Sequence, residues 1–476
     1  MITERTEQLK RLFKTRFGTE VSKVTPLPQG GSDRLYYRLT DGTQSAIGAY
    51  NPDVDENRAY FYLTEHFFGK GFPVAQLLGI APDEKHYLVS DLGDCTLMLR
   101  FGCTLWEKGK DSATKRTLKQ SLALLAQFQI EGAKGLDFSR CYPKSTFDMQ
   151  SVMWDFNYFK YSFLKPSGIR FNEAKLDDDF MAFADVLLAH PCSYFHYRDF
   201  QSRNIMLVNE SPYLIDYQGG RKGPLLYDIA SFLYQAKANF PQWLRDEMLD
   251  FYLEKVKELE PVNIHELKKQ FPNFALFRVI QTLGAYGYRG FFERRAHFLE
   301  SIPLAAGNLP YLLEAATVSI PSLLPILMEI NEKYGTKSQQ DDSFGGLTLD
   351  ITSFSFKKGY PMEHAEHGGG YIFDCRALPN PGRLFEFKDM NGFDTPVIDY
   401  FAKHPEVEQY LDTIKITINQ SVEAYLKRGF CYLSIAFGCT GGQHRSVYMA
   451  NRLAQWAEQL DGVRVKLFHR ELNIRI

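Results

Sequence analysis

One stretch of the sequence, residues 196–216, sets three polar residues at defined spacings. Asp199 is followed five positions later by Asn204, and two short apolar runs around a turn at 209–212 then lead to Asp216. This pattern predicts a loop, a short hairpin and a second loop. Phosphoryl transfer needs such a set, because one carboxylate orients a hydroxyl while an amide and a second carboxylate hold Mg²⁺. The alternative is an ordinary hairpin with polar ends.

Length and charge limit what this stretch can belong to. A chain of 476 residues is too long for one core and predicts about three units. With 55 basic and 57 acidic residues, it has no general attraction to nucleic acid or anionic membranes. The seven cysteines are odd in number and form no C-x-x-C pair, which argues against a disulfide framework and a zinc site. We expect a cytoplasmic, globular protein with no membrane partner.

The first 90 residues predict a helix followed by a small sheet. Between the helix and the strand at 35–39 lies a turn-rich loop with Gly30, Gly31 and Ser32. Glycine amides can approach a phosphate without hindrance, although a Gly-Gly pair is more often only a tight turn. The strand at 87–90 leads into Asp91, at the place where a two-lobed kinase holds adenine. A simple strand exit is the alternative there.

Residues 112–334 predict a mainly helical region. Leu118, Leu122, Leu125 and Phe128 recur at three- and four-residue steps, which indicates a core helix. Further helices are predicted at 177–189 and between 229 and 334. The aromatic stretch 153–163 favours packing over a sugar-stacking platform. Asp228, near the start of an apolar helix, is expected to cap backbone N–H groups and steady the preceding loop.

Four segments together carry a family resemblance. They are Gly31-Ser-Asp-Arg-Leu-Tyr-Tyr-Arg38, Leu88-Val-Ser-Asp-Leu-Gly-Asp94, Arg198-Asp-Phe-Gln-Ser-Arg-Asn204, and Leu214-Ile-Asp-Tyr-Gln-Gly followed by Gly223-Pro-Leu-Leu-Tyr-Asp-Ile-Ala-Ser231. In order and spacing they resemble the aminoglycoside phosphotransferase superfamily. Within it, they are most similar to the anomeric kinases of N-acetylmuramate and N-acetylglucosamine. The resemblance implies a bilobal, protein-kinase-like α+β fold, with an N-lobe at 1–90 and a helical C-lobe at 91–334.

The resemblance also implies roles for individual residues. Asp199, preceded by Arg198, would be the catalytic base or the carboxylate that orients the hydroxyl. Asn204 and Asp216 would hold Mg²⁺, and ATP would be the phosphoryl donor for an amino-sugar substrate. The proposed nucleotide contacts are Gly30, Gly31, Ser32, Arg34 and Asp91.

Two departures from the family pattern stand out. Tyr197 replaces the histidine that usually precedes Arg-Asp, which we expect to alter loop packing rather than chemistry. The strand expected to carry an ATP-binding lysine reads Ser-Ala-Ile-Gly-Ala-Tyr50 and has no cation. Arg34 or Arg38 is a candidate replacement, although both are equally compatible with solvated strand positions.

A polar, glycine-bearing segment at 335–346 is typical of a linker and precedes an α/β unit at 347–476. There a buried strand at 430–437 runs into a glycine-rich loop and then a helix, an arrangement that binds anions. The loop also contains Cys439 and Arg445 in the C-x5-R spacing of cysteine phosphatases. That pattern is short, and its acid partner, for example Asp374, cannot be assigned from the sequence.

A second resemblance covers residues 347–476. These are similar to the C-terminal domain of the RNase adapter protein RapZ, through Ser353-Phe-Ser-Phe-Lys-Lys-Gly359, Phe373-Asp-Cys-Arg-Ala-Leu-Pro-Asn-Pro381, Gly438-Cys-Thr-Gly-Gly-Gln-His-Arg-Ser-Val447 and His469-Arg-Glu-Leu472. In that family the domain recognises glucosamine 6-phosphate and binds small RNA. The family's P-loop sequence does not occur in this chain. The expected sugar-phosphate site comprises Cys439, Thr440, Gly441, Gly442, Gln443, His444, Arg445 and Ser446.

RNA is a possible but less favoured partner. Residues 347–476 contain 15 Lys and Arg against 15 Asp and Glu, whereas RNA binders normally carry a basic excess. A basic cluster at 464–475 is more simply a solvated edge strand, and His364 with His367 a surface loop rather than a metal site.

These observations favour an ATP- and Mg²⁺-dependent amino-sugar kinase of cell-wall sugar recycling, with a C-terminal domain that binds a sugar phosphate. A regulatory protein that binds a metabolite or RNA, and a bifunctional kinase–phosphatase, are the alternatives.

Overall fold

The computed structural model describes residues 2–27, 34–101, 113–335, 346–361, 370–388, 390–428, 430 and 432–475. These residues form two compact units, one on each side of residues 336–345. Most of the expected linker therefore lies outside the described residues. No helix in the described ranges has the length and apolar character needed to cross a bilayer.

The first unit begins with an antiparallel sheet in the order β1-β2-β3-β5-β4. Its strands are β1 (Lys23–Pro26), β2 (Leu35–Thr40), β3 (Ser45–Tyr50), β4 (Leu77–Ile80) and β5 (His86–Ser90). Helix α1 (Ile2–Phe17) covers one face, where Leu9 and Phe13 pack on Tyr37 and Leu39. The other face joins the main hydrophobic core of the unit.

The alternation of side chains along β2 determines which residues face that main core. Tyr37 and Leu39 point toward α1, and Tyr36 packs against the main core. Because side chains alternate along a strand, Arg34 and Arg38 share the face of Tyr36. This is the side on which the helical part of the unit lies.

The rest of the first unit is helical. Its helices are α2 (Val54–Gly69), α3 (Leu97–Phe101), α4 (Ala113–Ile130), α5 (Met149–Phe159), α6 (Lys165–Ser167), α7 (Glu173–Leu188), α8 (Leu226–Leu233), α9 (Gln242–Leu259), α10 (Ile264–Gly287), α11 (Ala296–Ala306), α12 (Leu309–Ala315) and α13 (Leu323–Tyr334). Two π-helical turns, Lys160–Leu164 and Tyr288–Phe292, extend α5 and α10. The predicted helix at 177–189 begins earlier, because Asn172 caps α7 by accepting the N–H of Lys175 at 3.1 Å.

Two short hairpins interrupt the helices. Strands β6 (Tyr194–His196) and β9 (Arg221–Gly223) pair, and β7 (Ile205–Val208) pairs with β8 (Ser211–Leu214). In the second hairpin Ile205 lies opposite Leu214. The residues that flank this hairpin, 204 and 215–216, are therefore neighbours, as the sequence pattern predicts.

The second unit is a mainly parallel sheet in the order β11-β12-β10-β13-β14. Its elements are β10 (Leu347–Ser355), β11 (Gly370–Asp374), α14 (Thr395–Ala402), α15 (Pro405–Arg428), β12 (Tyr432–Cys439), α16 (Arg445–Ala457), β13 (Val463–His469) and β14 (Ile474–Arg475). The strand predicted at 430–437 continues to Cys439, because β12 pairs with β10 up to Ser355. Only β14 is antiparallel to its neighbour.

The seam between α5 and α10 depends on two glycines. A Cβ on Gly287 would lie 2.4 Å from the carbonyl oxygen of Ser162, and one on Gly284 would lie 2.9 Å from the backbone of Phe159. Glycine is unfavourable inside a helix. Its presence here therefore reflects the close approach of the two backbones.

We predict that Gly287→Ala lowers the free energy of unfolding of the first unit by about 1–3 kcal/mol, because the added methyl group overpacks the seam. Gly69→Ala is the matched control, since a Cβ at that helical position meets nothing within 4 Å. The control should be neutral or stabilising by up to ~1 kcal/mol. Urea unfolding followed by circular dichroism measures both, and equal midpoints for the two variants would contradict the close packing.

Candidate active site

One buried carboxylate holds the backbone of the loop that follows β6. Asp228, on α8, accepts the backbone N–H groups of Tyr197 and Arg198, each at 2.8 Å, and the side-chain amide of Gln129 at 2.8 Å. Arg198 has a φ of 77°, which is unfavourable for a residue with a side chain. Burial raises the pKa of Asp228 to about 7, against the lowering effect of these hydrogen bonds. Asp228 thus steadies the loop, as predicted, although the N–H groups belong to the loop and not to its own helix.

The two residues before Arg198 pack inside the unit. His196 is fully buried and its ring lies 4.4 Å from that of Tyr227. Burial lowers the pKa of His196 well below its usual value, so the imidazole is neutral. The Tyr197 hydroxyl donates to the carbonyl oxygen of Ile215. Tyr197 therefore contributes to loop packing, as expected from its place in the sequence.

The structure brings together the three polar residues of the 196–216 stretch. The side-chain amide of Asn204 donates to the carbonyl oxygen of Asp199 at 2.9 Å and to Oδ2 of Asp216 at 3.2 Å. The N–H of Ile215 donates to the carbonyl oxygen of Asn204 at 3.1 Å. Asn204 is thus the link between the two loops.

Asn204 and Asp216 have the chemistry of a magnesium site. A carboxylate and an amide in contact offer oxygen ligands, and Mg²⁺ is commonly held by one or two protein carboxylates together with substrate phosphates. No group of three or more His, Cys, Asp or Glu that could hold a metal occurs in the part of the chain that the structure describes. The carboxylate of Asp216 and the amide of Asn204 fit the oxygen ligands that Mg²⁺ takes from a protein when it is bound together with a nucleotide.

Asp199 has a partner that sequence reasoning missed. Arg278, on α10, donates from Nη2 to Oδ1 of Asp199 at 3.1 Å. The arginine side chain is only 4% exposed, whereas that of Asp199 is 44% exposed, so the carboxylate is accessible from solvent. Its partial burial raises the pKa of Asp199, but Arg278, Arg198 and Arg203 lower it further, and the net pKa is below the ordinary value. The carboxylate is therefore ionised at neutral pH.

Arg198 points to a second acid that the sequence did not indicate. Its Nη2 donates to Oδ1 of Asp155, on α5, at 2.9 Å. Burial lowers the pKa of Arg198, but Asp155 and neighbouring groups raise it more. The charged guanidinium of Arg198 therefore links α5 to the loop, and Arg198 directly precedes Asp199 in the chain.

Two of the predicted nucleotide-binding residues can be compared with the structure. Arg34 is buried; its Nη2 lies 3.1 Å from Oε2 of Glu56, on α2, and its Nη1 donates to the hydroxyl of Tyr36 at 3.2 Å. Asp91 accepts Nε of Arg38 at 2.7 Å and the hydroxyl of Ser45 at 2.6 Å. The Asp91 carboxylate is therefore engaged within the sheet. Gly30, Gly31 and Ser32 lie outside the described residues.

In the second unit, the predicted anion loop follows the carboxyl end of β12. Sγ of Cys439 accepts the N–H of Gly442 at 3.1 Å and lies 3.2 Å from Oγ of Ser446. Gly442 has a φ of +74°, and a Cβ there would lie 2.3 Å from Cγ of Glu471, so the turn requires glycine. Helix α16 begins at Arg445.

Contacts from the loop into the unit fix its conformation. Nη1 of Arg445 donates to the carbonyl oxygens of Arg376 and Leu378, at 2.8 and 3.2 Å. Its Nη2 donates to the Thr440 hydroxyl at 3.3 Å. The predicted acid Asp374 is paired with Arg376 at 2.6 Å. The Arg445 guanidinium and the Asp374 carboxylate are therefore both engaged by other groups of the unit.

The prediction of a solvated basic edge strand at residues 464–475 is wrong for His469 and for β13. His469 is buried and shares a hydrogen bond with Oγ of Ser353 at 2.8 Å, so it does not join a solvated basic edge. Strand β13 lies between β10 and β14 and is not the edge. His364 and His367 lie outside the described residues.

Comparison with known families agrees with this division into two units. Residues 23–262, half of the chain, match the family described as "Phosphotransferase enzyme family". The chain belongs to this phosphotransferase family. Residues 347–473 match the RapZ C-terminal domain.

Individual relatives cover the two units separately. A "Nucleotide-binding protein" from Staphylococcus epidermidis is 37% identical over 139 residues, which are 29% of this chain and 44% of that protein. The phosphotransferase thus spans less than half the length of this relative. Choline kinase from Cryptosporidium parvum superposes with a TM-score of 0.45 at 11% identity, over 68% of this chain and 99% of that one. An aminoglycoside phosphotransferase mutant in a complex with ADP and hygromycin B gives 0.40 at 13%, over 66% and 100%.

The kinase-like fold predicted for the first unit of the phosphotransferase, and the separate α/β unit, are confirmed. Arg278, Asp155 and Glu56 escaped sequence reasoning because each lies on a distant helix with no local motif. A charged residue within an apolar stretch, such as Arg278 in residues 274–280, is the signal that could have drawn attention to the first of them.

Proposed function

We propose that this phosphotransferase transfers the γ-phosphoryl group of Mg·ATP to the anomeric hydroxyl of an amino sugar of the N-acetylmuramate or N-acetylglucosamine type. The supporting observation is the contact of Asn204 with both Asp199 and Asp216. Asn204 holds the backbone of Asp199, whose carboxylate would orient the hydroxyl, next to Asp216, with which Asn204 would bind the metal, and kinase chemistry requires these three groups together. A cytoplasmic location and a role in cell-wall sugar recycling belong to this proposal.

The exposed oxygen of Asp199 would accept the hydrogen bond of the acceptor hydroxyl and receive its proton. Arg278 holds the other side of the carboxylate and makes it a weak base. A weak base suits an acidic hydroxyl better than an ordinary alcohol. The ring oxygen of a sugar makes the anomeric hydroxyl the most acidic of its hydroxyls, which supports a sugar phosphorylated at that position.

Magnesium, when bound between Asn204, Asp216 and the nucleotide, would neutralise charge on the β- and γ-phosphates. The chain's own residues would orient the reactants around it. Asp228 and the Arg198–Asp155 pair hold the loop, so that Asp199 need not be reorganised when the acceptor binds.

Arg34 is our candidate for the cation that replaces the missing lysine. Kinases use a lysine–glutamate pair between the sheet and the first large helix, and Arg34 forms such a pair with Glu56 on α2. Arg34 also donates to the hydroxyl of Tyr36, and burial and the nearby carboxylate of Asp216 both contribute to raising the pKa of Tyr36. Arg38 is engaged by Asp91 and Asp94 and is the weaker candidate.

The aromatic stretch 153–163 offers a surface for the acceptor. The prediction of packing is right for Phe156, Phe159 and Phe163, which are buried, whereas Trp154 and Tyr158 are exposed. Trp154 precedes and Tyr158 follows, by one and three positions, Asp155, the partner of Arg198. Exposed aromatic rings on this helix suit the apolar face of a sugar ring.

For residues 347–476 we propose binding of a sugar phosphate at residues 439–446, where a glycine turn and the start of α16 present N–H groups. Recognition of small RNA is the regulatory alternative, although the unit carries no net positive charge. A phosphatase reaction has less support, because Arg445 and Asp374 are engaged elsewhere. For the first unit, the boundary between the N-lobe and the C-lobe at residues 90 and 91 is part of the kinase proposal.

We predict that the purified chain releases ADP from Mg·ATP when N-acetylmuramate or N-acetylglucosamine is present. Asp199→Asn should lower turnover by about 10²–10⁴-fold, the usual contribution of a general base. A coupled ADP assay, together with phosphorus NMR of the product, tests the acceptor and the position. ADP release no greater than that of the Asp199→Asn variant would refute the sugar-kinase proposal.

A second prediction concerns Arg34. Arg34→Ala should raise the Michaelis constant for ATP or lower turnover by at least about tenfold, since a hydrogen bond to a charged group is worth roughly 1.5–3 kcal/mol. Arg58→Ala is the matched control, because Arg58 lies on α2 and forms an exposed pair with Glu84. Unchanged kinetics of the Arg34 variant would exclude this arginine.

In the second unit, Gly442→Ala should weaken the binding of glucosamine 6-phosphate by about tenfold or more, because the turn needs a positive φ and has no room for Cβ. Gly462→Ala has a similar φ, +72°, but its nearest neighbour is 3.5 Å away, so it controls for backbone strain. Calorimetric titration of the full chain compares the two. If both variants bind as the wild type does, the ligand site lies elsewhere.

A further inference from the structure

Gln218, two residues after Asp216, has an amide oxygen with no partner. Its Nε2 donates to Oδ1 of Asp216 at 2.9 Å. Its Oε1 is buried and has no hydrogen-bond partner among the residues that the structure describes. The whole residue is 8% exposed. A buried acceptor without a partner costs roughly 1–3 kcal/mol, and in native proteins such a group usually contacts a water or an ion.

The Asp216 carboxylate is held by two amides, one on each oxygen. Asn204 donates to Oδ2 at 3.2 Å and Gln218 to Oδ1 at 2.9 Å. Once an amide has turned its nitrogen to a carboxylate, its oxygen is the atom left for a cation. Asn204 and Gln218 therefore each place a side-chain oxygen near the same carboxylate, since the nitrogen of the same amide group contacts it.

The loop does not need Gln218 for its shape. The N–H of Gly220 donates to the carbonyl oxygen of Tyr217 at 2.9 Å. Arg221 donates from Nε and Nη2 to the carbonyl oxygen of Gly219, at 3.2 and 3.1 Å. These contacts close the turn through the backbone and Arg221, so Oε1 of Gln218 is not used to shape the loop.

We propose that Oε1 of Gln218 is a third protein oxygen of the metal–nucleotide site, beside Asn204 and Asp216. This inference rests on the proposed use of Mg·ATP. Magnesium takes six oxygen ligands and retains several waters, so Oε1 contacts the ion directly or through one bound water. With one carboxylate and two amides the protein supplies a single negative charge, which leaves most of the charge balance to the phosphates.

Manganese is a suitable probe, because its binding is measured by electron paramagnetic resonance without any acceptor sugar. The full chain is titrated with Mn²⁺ in the presence of the non-hydrolysable ATP analogue AMP-PNP. We expect Gln218→Leu to weaken Mn²⁺ binding by about tenfold, as loss of a metal-site contact does. Gln218→Glu should tighten it, because affinity rises with ligand charge. Gln127→Leu, at an exposed position of α4, should bind as the wild type does.

The outcomes separate this inference from the kinase proposal. Wild-type binding of Mn²⁺ with AMP-PNP, and unchanged binding in Gln218→Leu, would overturn the role of Gln218 and leave the kinase proposal intact. A wild type that binds neither probe would overturn both. Nucleotide binding by Gln218→Leu without metal, compared with the wild type, shows whether the variant is folded. Gln218→Glu tests the metal contact with almost no change in side-chain volume.

Discussion

The active site of this phosphotransferase depends on one buried carboxylate. Asp228 has no exposed surface and accepts two consecutive backbone N–H groups of the catalytic loop. Those bonds hold Arg198 in a backbone conformation that a residue with a side chain rarely adopts. A buried carboxylate is costly unless hydrogen bonds satisfy it, so loop and carboxylate stabilise each other. The positions of Asp199 and Asn204, which follow in the same loop, depend on this fixed backbone.

Two ion pairs between an arginine and an acidic residue lie next to this loop. Arg278 holds Asp199, and Asp155 holds Arg198. Each pair joins the loop to a different helix, α10 or α5, and those helices meet through glycines that allow their backbones to touch. The packing of the helices therefore determines the orientation of the Asp199 carboxylate, for which we propose the catalytic role. The same arrangement explains why Asp199 remains ionised although the neighbourhood is largely buried.

The second unit differs in how its proposed anion site is built. Its parallel strands end at one edge of the sheet, where Ser355, Asp374, Cys439 and His469 terminate β10, β11, β12 and β13. A loop at that edge, followed by a helix start, presents N–H groups without using a side-chain charge. Arg445, one of the residues predicted at the phosphate site, fixes the loop to backbone carbonyl groups. Buried guanidinium groups serve this structural purpose well because they have several donors.

The sequence by itself determined the fold class, the separate C-terminal α/β unit and the grouping of Asp199, Asn204 and Asp216, whereas the chain length predicted about three units and the described residues form two. These features depend on local patterns, namely strand and helix periodicity, a hairpin turn, and spacings within about 20 residues. Residues on either side of a short hairpin are close in space because the hairpin brings its two ends together. Only the tertiary structure decided which side chains complete the site. Arg278 and Asp155 contact Asp199 and Arg198 from helices that are distant in sequence, and Glu56 contacts Arg34 in the same way. That Oε1 of Gln218 has no partner among the described residues is evident only once its amide nitrogen is seen to face Asp216. Burial and hydrogen-bond satisfaction are properties of the packed molecule, and no pattern along the chain records them.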